Sequence, residues 1–230
     1  ARECFVPAVW TGANGRSYIV TGWDHKKREI YCEGPRELTY LTRGVSIDRV
    51  TVATQDGARE VGGATVGYSA LLINRYTPSY REQHHSGLDR PRDTERSWPQ
   101  IEFETDGLFL QIPNDWFGTI NKDQSLKALE HVLLSVVPIV VACDPSDLEA
   151  SRNGATIYVY DSFGGGVRIS EPAFHRLEEV VRLARDIVAD CPCETGCPSC
   201  VMLPRRPDGN SELSKSGALQ LLDRLAEGSA

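Results

Sequence analysis

Cys191-Pro-Cys-Glu-Thr-Gly-Cys-Pro-Ser-Cys200 gathers four thiols into ten residues with the spacing C-x-C-x3-C-x2-C. Pro192, Gly196 and Pro198 shape the tight loop that four neighbouring ligands demand. Thiolates are soft donors, and a set of four selects zinc or an iron–sulfur cluster. Four sulfurs at about 2.3 Å from one ion stand in for a local hydrophobic core and leave no open position for a substrate. The stretch therefore predicts structural zinc held by Cys191, Cys193, Cys197 and Cys200, with an iron–sulfur cluster as the competing reading. Cys143 is the alternative ligand if the short loop does not wrap the ion fully.

The other cysteines of the seven, Cys4, Cys32 and Cys143, are scattered. A disulfide scaffold would distribute its cysteines in pairs, whereas clustered thiols suit metal binding in a reducing compartment. Cytoplasm is the expected location.

Outward from the knuckle, the pattern is helical on both sides. Beyond it, Leu219, Leu222 and Leu225 share one face, broadened by Leu221, which predicts a helix from near Ser216 to Glu227 with Ser214 or Ser216 as cap and Gly228 as stop. Before it, Phe174, Leu177, Val181, Ala184 and Val188 form another stripe, with Ser170 as N-cap and Pro172 in the first turn. Ala155 to Tyr160 reads as a strand entering Asp161-Ser-Phe-Gly-Gly-Gly166. These glycines allow close backbone approach, so with Asp161 they could hold a phosphate or a partner's backbone. The segment has neither the dinucleotide fingerprint nor a P-loop lysine, and a tight strand-to-helix passage is the default. Further upstream, Leu126, Leu129, Leu133, Val136, Val137 and Val140 make a helical stripe with Asp123 as N-cap. Pro138 should kink or end that helix near Val137, and Ile139 to Val141 could start a strand. His131 reads as a packing or capping residue. Gln100 to Leu110 reads as a strand whose Glu102, Glu104 and Asp106, at period two, could form a metal or acid–base cluster but more often are the wet face of an edge strand.

The first half alternates instead. Arg16 to Thr21 and Arg28 to Glu33 are short strands around a polar turn at Asp24 to Lys26, followed by extended runs at Val45 to Ala53 and Ala64 to Tyr76. Four or five short strands predict a small curled sheet or barrel. Tyr80 to Trp98 is a composition break with four arginines and the adjacent pair His84 and His85, read as a solvated linker or a phosphate contact. The fold class expected is α+β: a β-rich, barrel-like part over residues 1–97 with a mixed-charge linker at 80–97, then an α/β domain over 98–230 closed by the knuckle and a C-terminal helix.

Bulk composition narrows the function. The chain of 230 residues is 40% hydrophobic and 25% charged, ordinary for a globular protein. A formal charge of −7 argues against a broadly basic nucleic-acid coat, although not against a local basic groove. The best apolar run, Val132 to Ala142, is short and holds Ser135 and Pro138, so no membrane span is expected. Ala1-Arg2-Glu3-Cys4 carries no signal-peptide pattern or initiator Met, and the chain reads as part of something longer. No Walker-type lysine motif or helicase acidic box occurs in it, and no catalytic residue is nominated.

One succession of motifs points to a family. It comprises Leu129-Glu130-His131-Val132-Leu133-Leu134, Cys143-Asp144, Tyr160-Asp161 with Gly164-Gly165-Gly166, the knuckle, a short basic stretch and Gly209-Asn210. This resembles the zinc-binding C-terminal domain of the mitomycin repair factor A type helicases, superfamily 2 DNA helicases whose domain also occurs in some phage-defence proteins. The resemblance covers residues 98 to 225, with weaker motifs in the strand-rich part before them. It implies zinc on Cys191, Cys193, Cys197 and Cys200, and a parent protein with a 3′ to 5′ ATP-driven motor on single-stranded DNA, used in repair of crosslinked or bulky lesions. Relatives often carry another cysteine just before the Gly-Asn pair, where this chain has Pro207-Asp208. That departure weakens any five-cysteine or cluster-type site and leaves the four-cysteine zinc site intact.

The function expected is a zinc-stabilised accessory region of an ATP-dependent DNA helicase acting in repair, helping to hold or guide single-stranded DNA. ATP and magnesium would bind only the parent's motor. Partners would be DNA, the motor domains and possible protein partners, with no membrane. Arg205, Arg206 and Lys215, with Arg90, Arg92 and Arg96, are the nominated DNA contacts. The alternative is a zinc-stapled protein-interaction module of a phage-defence complex.

Overall fold

The structure, a computed structural model, describes residues 5–24, 26–94, 96–97, 101–203 and 209–227. In chain order come strands β1 (Phe5–Val6), β2 (Val9–Thr11), β3 (Ser17–Asp24), β4 (Glu29–Arg36), β5 (Tyr40–Val61), β6 (Ala64–His84), β7 (Asp89–Asp93), β8 (Arg96–Ser97) and β9 (Ile101–Gln111). Helix α1 (Lys122–Val141) follows, then strands β10 (Leu148–Asn153) and β11 (Thr156–Asp161) and helices α2 (Ser170–His175), α3 (Leu177–Asp190) and α4 (Lys215–Glu227). The chain divides into two compact units, residues 1–48 with 74–101 and residues 49–73 with 102–230. The sequence boundary at residue 97 thus differs from the structural one. Residues 49–73 join the second unit because Val61, Ala64 and Val66 are buried in its main core. The Gly62-Gly63 turn between β5 and β6 has φ +59 and +88, and a Cβ on Gly62 would collide with the α4 backbone at Arg224 and Leu225. Glycine is what lets that turn close against the helix.

The first unit is β-rich, as the alternation implies. It holds the sheet β2-β3-β4, the pair β1-β8 and the hairpin of β6 with β7. Asp24 Oδ1 accepts from the backbone N–H groups of Lys26 at 2.9 Å and Lys27 at 3.2 Å, which makes the expected polar turn. A small core collects Phe5, Ala8, Val20 and Tyr80, with the Phe5 and Tyr80 rings stacked at 5.1 Å. Two corrections follow. Among the described residues the strands pair in open orders, the sheet alternative of that reading, but β5 and β6 are long rather than short, at 22 and 21 residues. Gly57 has φ +149 inside β5 and does not end it. The supposed linker from residue 80 is largely hairpin: Arg81 faces Asp89 at 2.8 Å and Glu82 faces Arg92 at 3.5 Å. The charges that cancel in the formula also meet across the strands.

The second unit contains β10, β11 and β9 of the sheet β10-β11-β9-β6-β5, the parts of β5 and β6 within residues 49–73, and the helices α1 to α4. β9 lies between β11 and β6, so it is an interior strand and not the expected edge. Its polar half misled the reading: Glu102 and Glu104 are exposed, but Thr105 and Gly107 to Leu110 are buried. β10, which has no apolar alternation to announce it, pairs antiparallel with β11 from Leu148↔Asp161 to Asn153↔Thr156.

Helix α1 starts at the cap Asn121, whose Oδ1 accepts from Gln124 N at 3.1 Å, while Asp123 occupies the first turn. It continues through Pro138 and ends at Ala142 with φ 58, so Ile139 to Val141 are its last turn and not a strand. By length and composition α1 would reach across a membrane, yet 72% of its most apolar window is buried inside the fold. Leu126, Leu129 and Leu133 have at most 1% exposure. Each contributes about 1.5–3 kcal/mol by leaving water. Helix α1 packs against α3 and α4, which pack against each other. The predicted helix after the glycine run is split at Arg176, where φ −108 and ψ 24 separate α2 from α3. Ser170 is the first residue of α2 rather than its cap. Ser214 caps α4, its Oγ accepting from Gly217 N at 3.0 Å.

Candidate metal centre

Helix α3 delivers the first ligand directly, because its C-cap is Cys191. From there the chain turns tightly enough that the Sγ atoms of Cys191, Cys193, Cys197 and Cys200 all lie within 4.8 Å of one another. Neighbouring sulfurs are 3.5 Å (Cys191–Cys193), 3.4 Å (Cys191–Cys197), 3.5 Å (Cys193–Cys200) and 3.8 Å (Cys197–Cys200) apart. A disulfide would need about 2.05 Å. A tetrahedron of sulfurs around zinc, each at about 2.3 Å, has edges of about 3.8 Å. The separations fit a metal cage and exclude a bonded pair. Cys143 does not belong to this cluster; it is half-buried at the end of α1.

Backbone bonds fix the ligand loop. Cys200 N and Met202 N both donate to Cys197 O, at 3.0 and 3.1 Å, and Cys197 N donates to Cys200 Sγ at 3.3 Å. Gly196 takes φ +120 beside Val201, where a Cβ would strike the Val201 side chain. Val201 is fully buried, and its carbonyl lies 3.1 Å from Nδ1 of the buried His131. A carbonyl only accepts, so Nδ1 carries the proton, and His131 packs and anchors as the sequence reading supposed. The Ser199 backbone N–H, helped by Cys191, draws the Cys197 thiol down to about 7, while burial pushes Cys200 up to about 12. A cation is what makes four neighbouring thiolates tolerable there.

Two functional contacts escaped the sequence reading. Lys215, at the start of α4, donates from Nζ to Cys191 O and Cys193 O, both at 2.6 Å. Two of its ammonium N–H groups are thereby directed at the knuckle backbone. Asn210 Oδ1 accepts from Leu203 N at 2.8 Å and its Nδ2 donates to Leu203 O at 3.1 Å. The Gly209-Asn210 motif was the available signal. Of the other nominated DNA contacts, Arg205 and Arg206 lie outside the described residues. Arg90 and Arg92 are on the exposed strand β7, and Arg92 meets Glu82. Arg96 falls in β8 with its backbone paired to Val6, and its side chain lies outside the description.

The Asp161 loop is built around its carboxylate. Asp161 is fully buried; Oδ2 accepts from Val167 N at 2.8 Å and Ile169 N at 3.1 Å, and Oδ1 from Ser170 N at 2.9 Å. Thr105 Oγ1 donates to the carbonyls of Asp161 and Phe163, both at 2.9 Å. These acceptors are committed inside the fold, so the loop is a strand-to-helix passage. The Leu129-Glu130-His131 stretch is likewise structural, with buried Glu130 paired to Arg152 at 2.5 Å.

A closed four-thiolate site on a helix-covered sheet defines a zinc-stapled domain rather than a metalloenzyme centre. Residues 129–201 match the family model of the MrfA Zn-binding domain, and the resident metal is structural zinc. The chain is 25% identical over 213 residues to the ATP-dependent helicase YprA of Bacillus subtilis, covering 89% of this chain and 28% of that protein. It is 25% identical over 154 residues to the ATP-dependent helicase hrq1 of Schizosaccharomyces pombe, covering 54% of this chain and 14% of the relative. Protein MJ1572.1 of Methanocaldococcus jannaschii matches 44% of this chain at 24% identity, and that match takes in 98% of its length. The fold is that of a region of the DUF1998 helicase MrfA solved bound to DNA, with TM-score 0.65 and 22% identity, covering 97% of this chain and 30% of that one. This chain therefore spans less than a third of the helicases it resembles.

Proposed function

We propose that this chain is the C-terminal accessory region of an ATP-dependent 3′ to 5′ DNA helicase acting in DNA repair, and that its zinc-stabilised fold helps to hold or guide single-stranded DNA while the motor lies outside these residues. The observation that carries the reading is the similarity to YprA, which runs over 89% of this chain but only 28% of that helicase. The cytoplasm, where thiols stay reduced, is the compartment that suits the four metal-bound cysteines. Arg205 and Arg206, which follow the knuckle shortly in sequence, are the proposed phosphate contacts; such contacts are largely sequence-independent and weaken as salt rises. In the full-length parent, Arg205→Glu with Arg206→Glu should reduce single-stranded DNA affinity or unwinding while zinc stays at one per chain. Unchanged affinity and unwinding across low and moderate salt would remove the DNA-guiding role. The 230 residues alone should show only background ATP turnover with single-stranded DNA present, because no phosphate-binding lysine motif occurs in them.

A second reading, a zinc-stapled interaction module without a motor, is favoured by one observation: the match to MJ1572.1 takes in 98% of that protein. The full coding sequence separates the two. Motor motifs upstream would support the accessory region, and their absence there and in neighbouring genes would support the module.

A further inference from the structure

The contact between Lys215 and the knuckle joins two parts of the fold that are distant in sequence. Lys215 opens α4, and its Nζ bridges Cys191 O and Cys193 O at 2.6 Å each. Those carbonyls belong to the first two ligands, so the bridge sets their relative orientation. A divalent ion with four thiolates carries a formal charge of about −2, and a nearby ammonium lowers the cost of assembling it. The N-terminal end of a helix adds positive potential of the same sign. Elsewhere α4 is a core element: Ala218, Leu221, Leu222 and Leu225 are fully buried, and Cys191, Cys193 and Cys197 pack against the same cluster. Its entry is tied to α1 as well, through Ser214 N to Gln124 O at 3.2 Å.

We propose that Lys215 is a positioning residue of the zinc centre, orienting Cys191 and Cys193 and countering the thiolate charge, so that zinc retention depends on this side chain beyond what the packing of α4 contributes. The inference rests on the knuckle geometry and stands independently of the helicase reading. Groups just outside a metal's ligand shell typically change affinity by roughly ten- to a hundredfold when removed.

The test uses the whole chain loaded with zinc. Zinc transfer to a chromophoric chelator is measured for the unmodified protein, Lys215→Met, Lys215→Arg and Leu222→Ala, the last weakening α4 packing without touching the charge. Lys215→Met should lower zinc affinity roughly ten- to a hundredfold, and Lys215→Arg should restore most of it, because the charge and two donors return. Leu222→Ala should lower thermal stability while shifting zinc affinity less than Lys215→Met does. Cobalt-substituted Lys215→Met should also show a shifted thiolate-to-metal absorption band. Conversely, metal removal should speed amide exchange in α4 more than in the β2-β3-β4 sheet. Zinc affinity unchanged in Lys215→Met, or changed only in proportion to stability across all three variants, would overturn the proposal.

Discussion

The knuckle at Cys191–Cys200 and the loop at Asp161–Ser170 both connect buried elements through glycine-bearing turns, and each is organised from a centre of negative charge. In the knuckle the centre is four thiolates, whose neighbouring sulfurs stand 3.4–3.8 Å apart and need a cation. In the loop it is one carboxylate, already answered by the N–H groups of Val167, Ile169 and Ser170. The difference is where the compensation comes from. The loop carries its own and folds with the chain, whereas the knuckle borrows a metal, which makes its folding conditional on supply and redox state.

The comparison is most directly broken by taking the metal away. Cys197→Ser, or treatment of the unmodified chain with a strong chelator, should release zinc from a stoichiometry of one and produce the largest loss of thermal stability of any change considered. Structural zinc is linked to folding with apparent binding energies of about 10–16 kcal/mol in zinc-finger peptides. Elemental analysis and calorimetry of the same samples check it. The pH dependence has a definite sign. Metal-bound cysteines stay ionised well below the thiol range of an unfolded chain, so their contribution is present at alkaline and neutral pH and is lost as pH falls and protons displace zinc. Iron with sulfide-linked visible absorbance in the purified protein would remove the zinc assignment.

A smaller effect is expected at the loop. Asp161→Ala removes a buried acceptor of three backbone donors and leaves those N–H groups without it. Hydrogen bonds to charged groups are worth about 1.5–3 kcal/mol each, partly offset by no longer burying the charge. A net loss of about 3 kcal/mol in denaturant unfolding is expected, with zinc unchanged at one per chain. Zinc loss in this variant would mean that the two centres are coupled rather than independent.

What the sequence disclosed follows the same division. The ligands were legible because their spacing is local and the chemistry of four thiols admits few answers. Helices α3 and α4 were legible because Leu177, Val181 and Ala184, and Leu222 and Leu225, repeat at the helical period and are buried in the structure. The position of β9 in its sheet was not, because pairing partners are distant in sequence and Glu102 and Glu104 imitate an edge. β10 was missed because Leu-Glu-Ala-Ser-Arg-Asn carries too few apolar residues to alternate. The roles of Asp161 and Lys215 were hidden for a different reason. Both work through backbone atoms, which every residue possesses, so their partners leave no trace in composition. Asp161 standing at a strand end before a glycine run was the one available hint.

The finest distinction lies in two positive-φ glycines, one taken from each connection. Gly196, at φ +120, would drive a Cβ into Val201, the residue whose carbonyl meets His131. Gly166, at φ +63, would drive one into the Asp106 carboxylate. Both alanine substitutions impose a backbone conformation that costs an ordinary residue about 1–2 kcal/mol before any clash. The readouts should nevertheless diverge. The Val201 side chain is fully buried and cannot retreat, so Gly196→Ala must shift the ligand loop between Cys193 and Cys197. Its strain is relieved by giving up metal geometry, and chelator competition should show weaker zinc binding. Gly166 meets Asp106, which is no part of the ligand loop, so Gly166→Ala should lose about 1–2 kcal/mol of stability or more with zinc affinity intact. Equal zinc affinities in the two variants would show that the knuckle absorbs backbone strain as readily as the loop does, and that the metal does not hold its ligand loop to a single conformation.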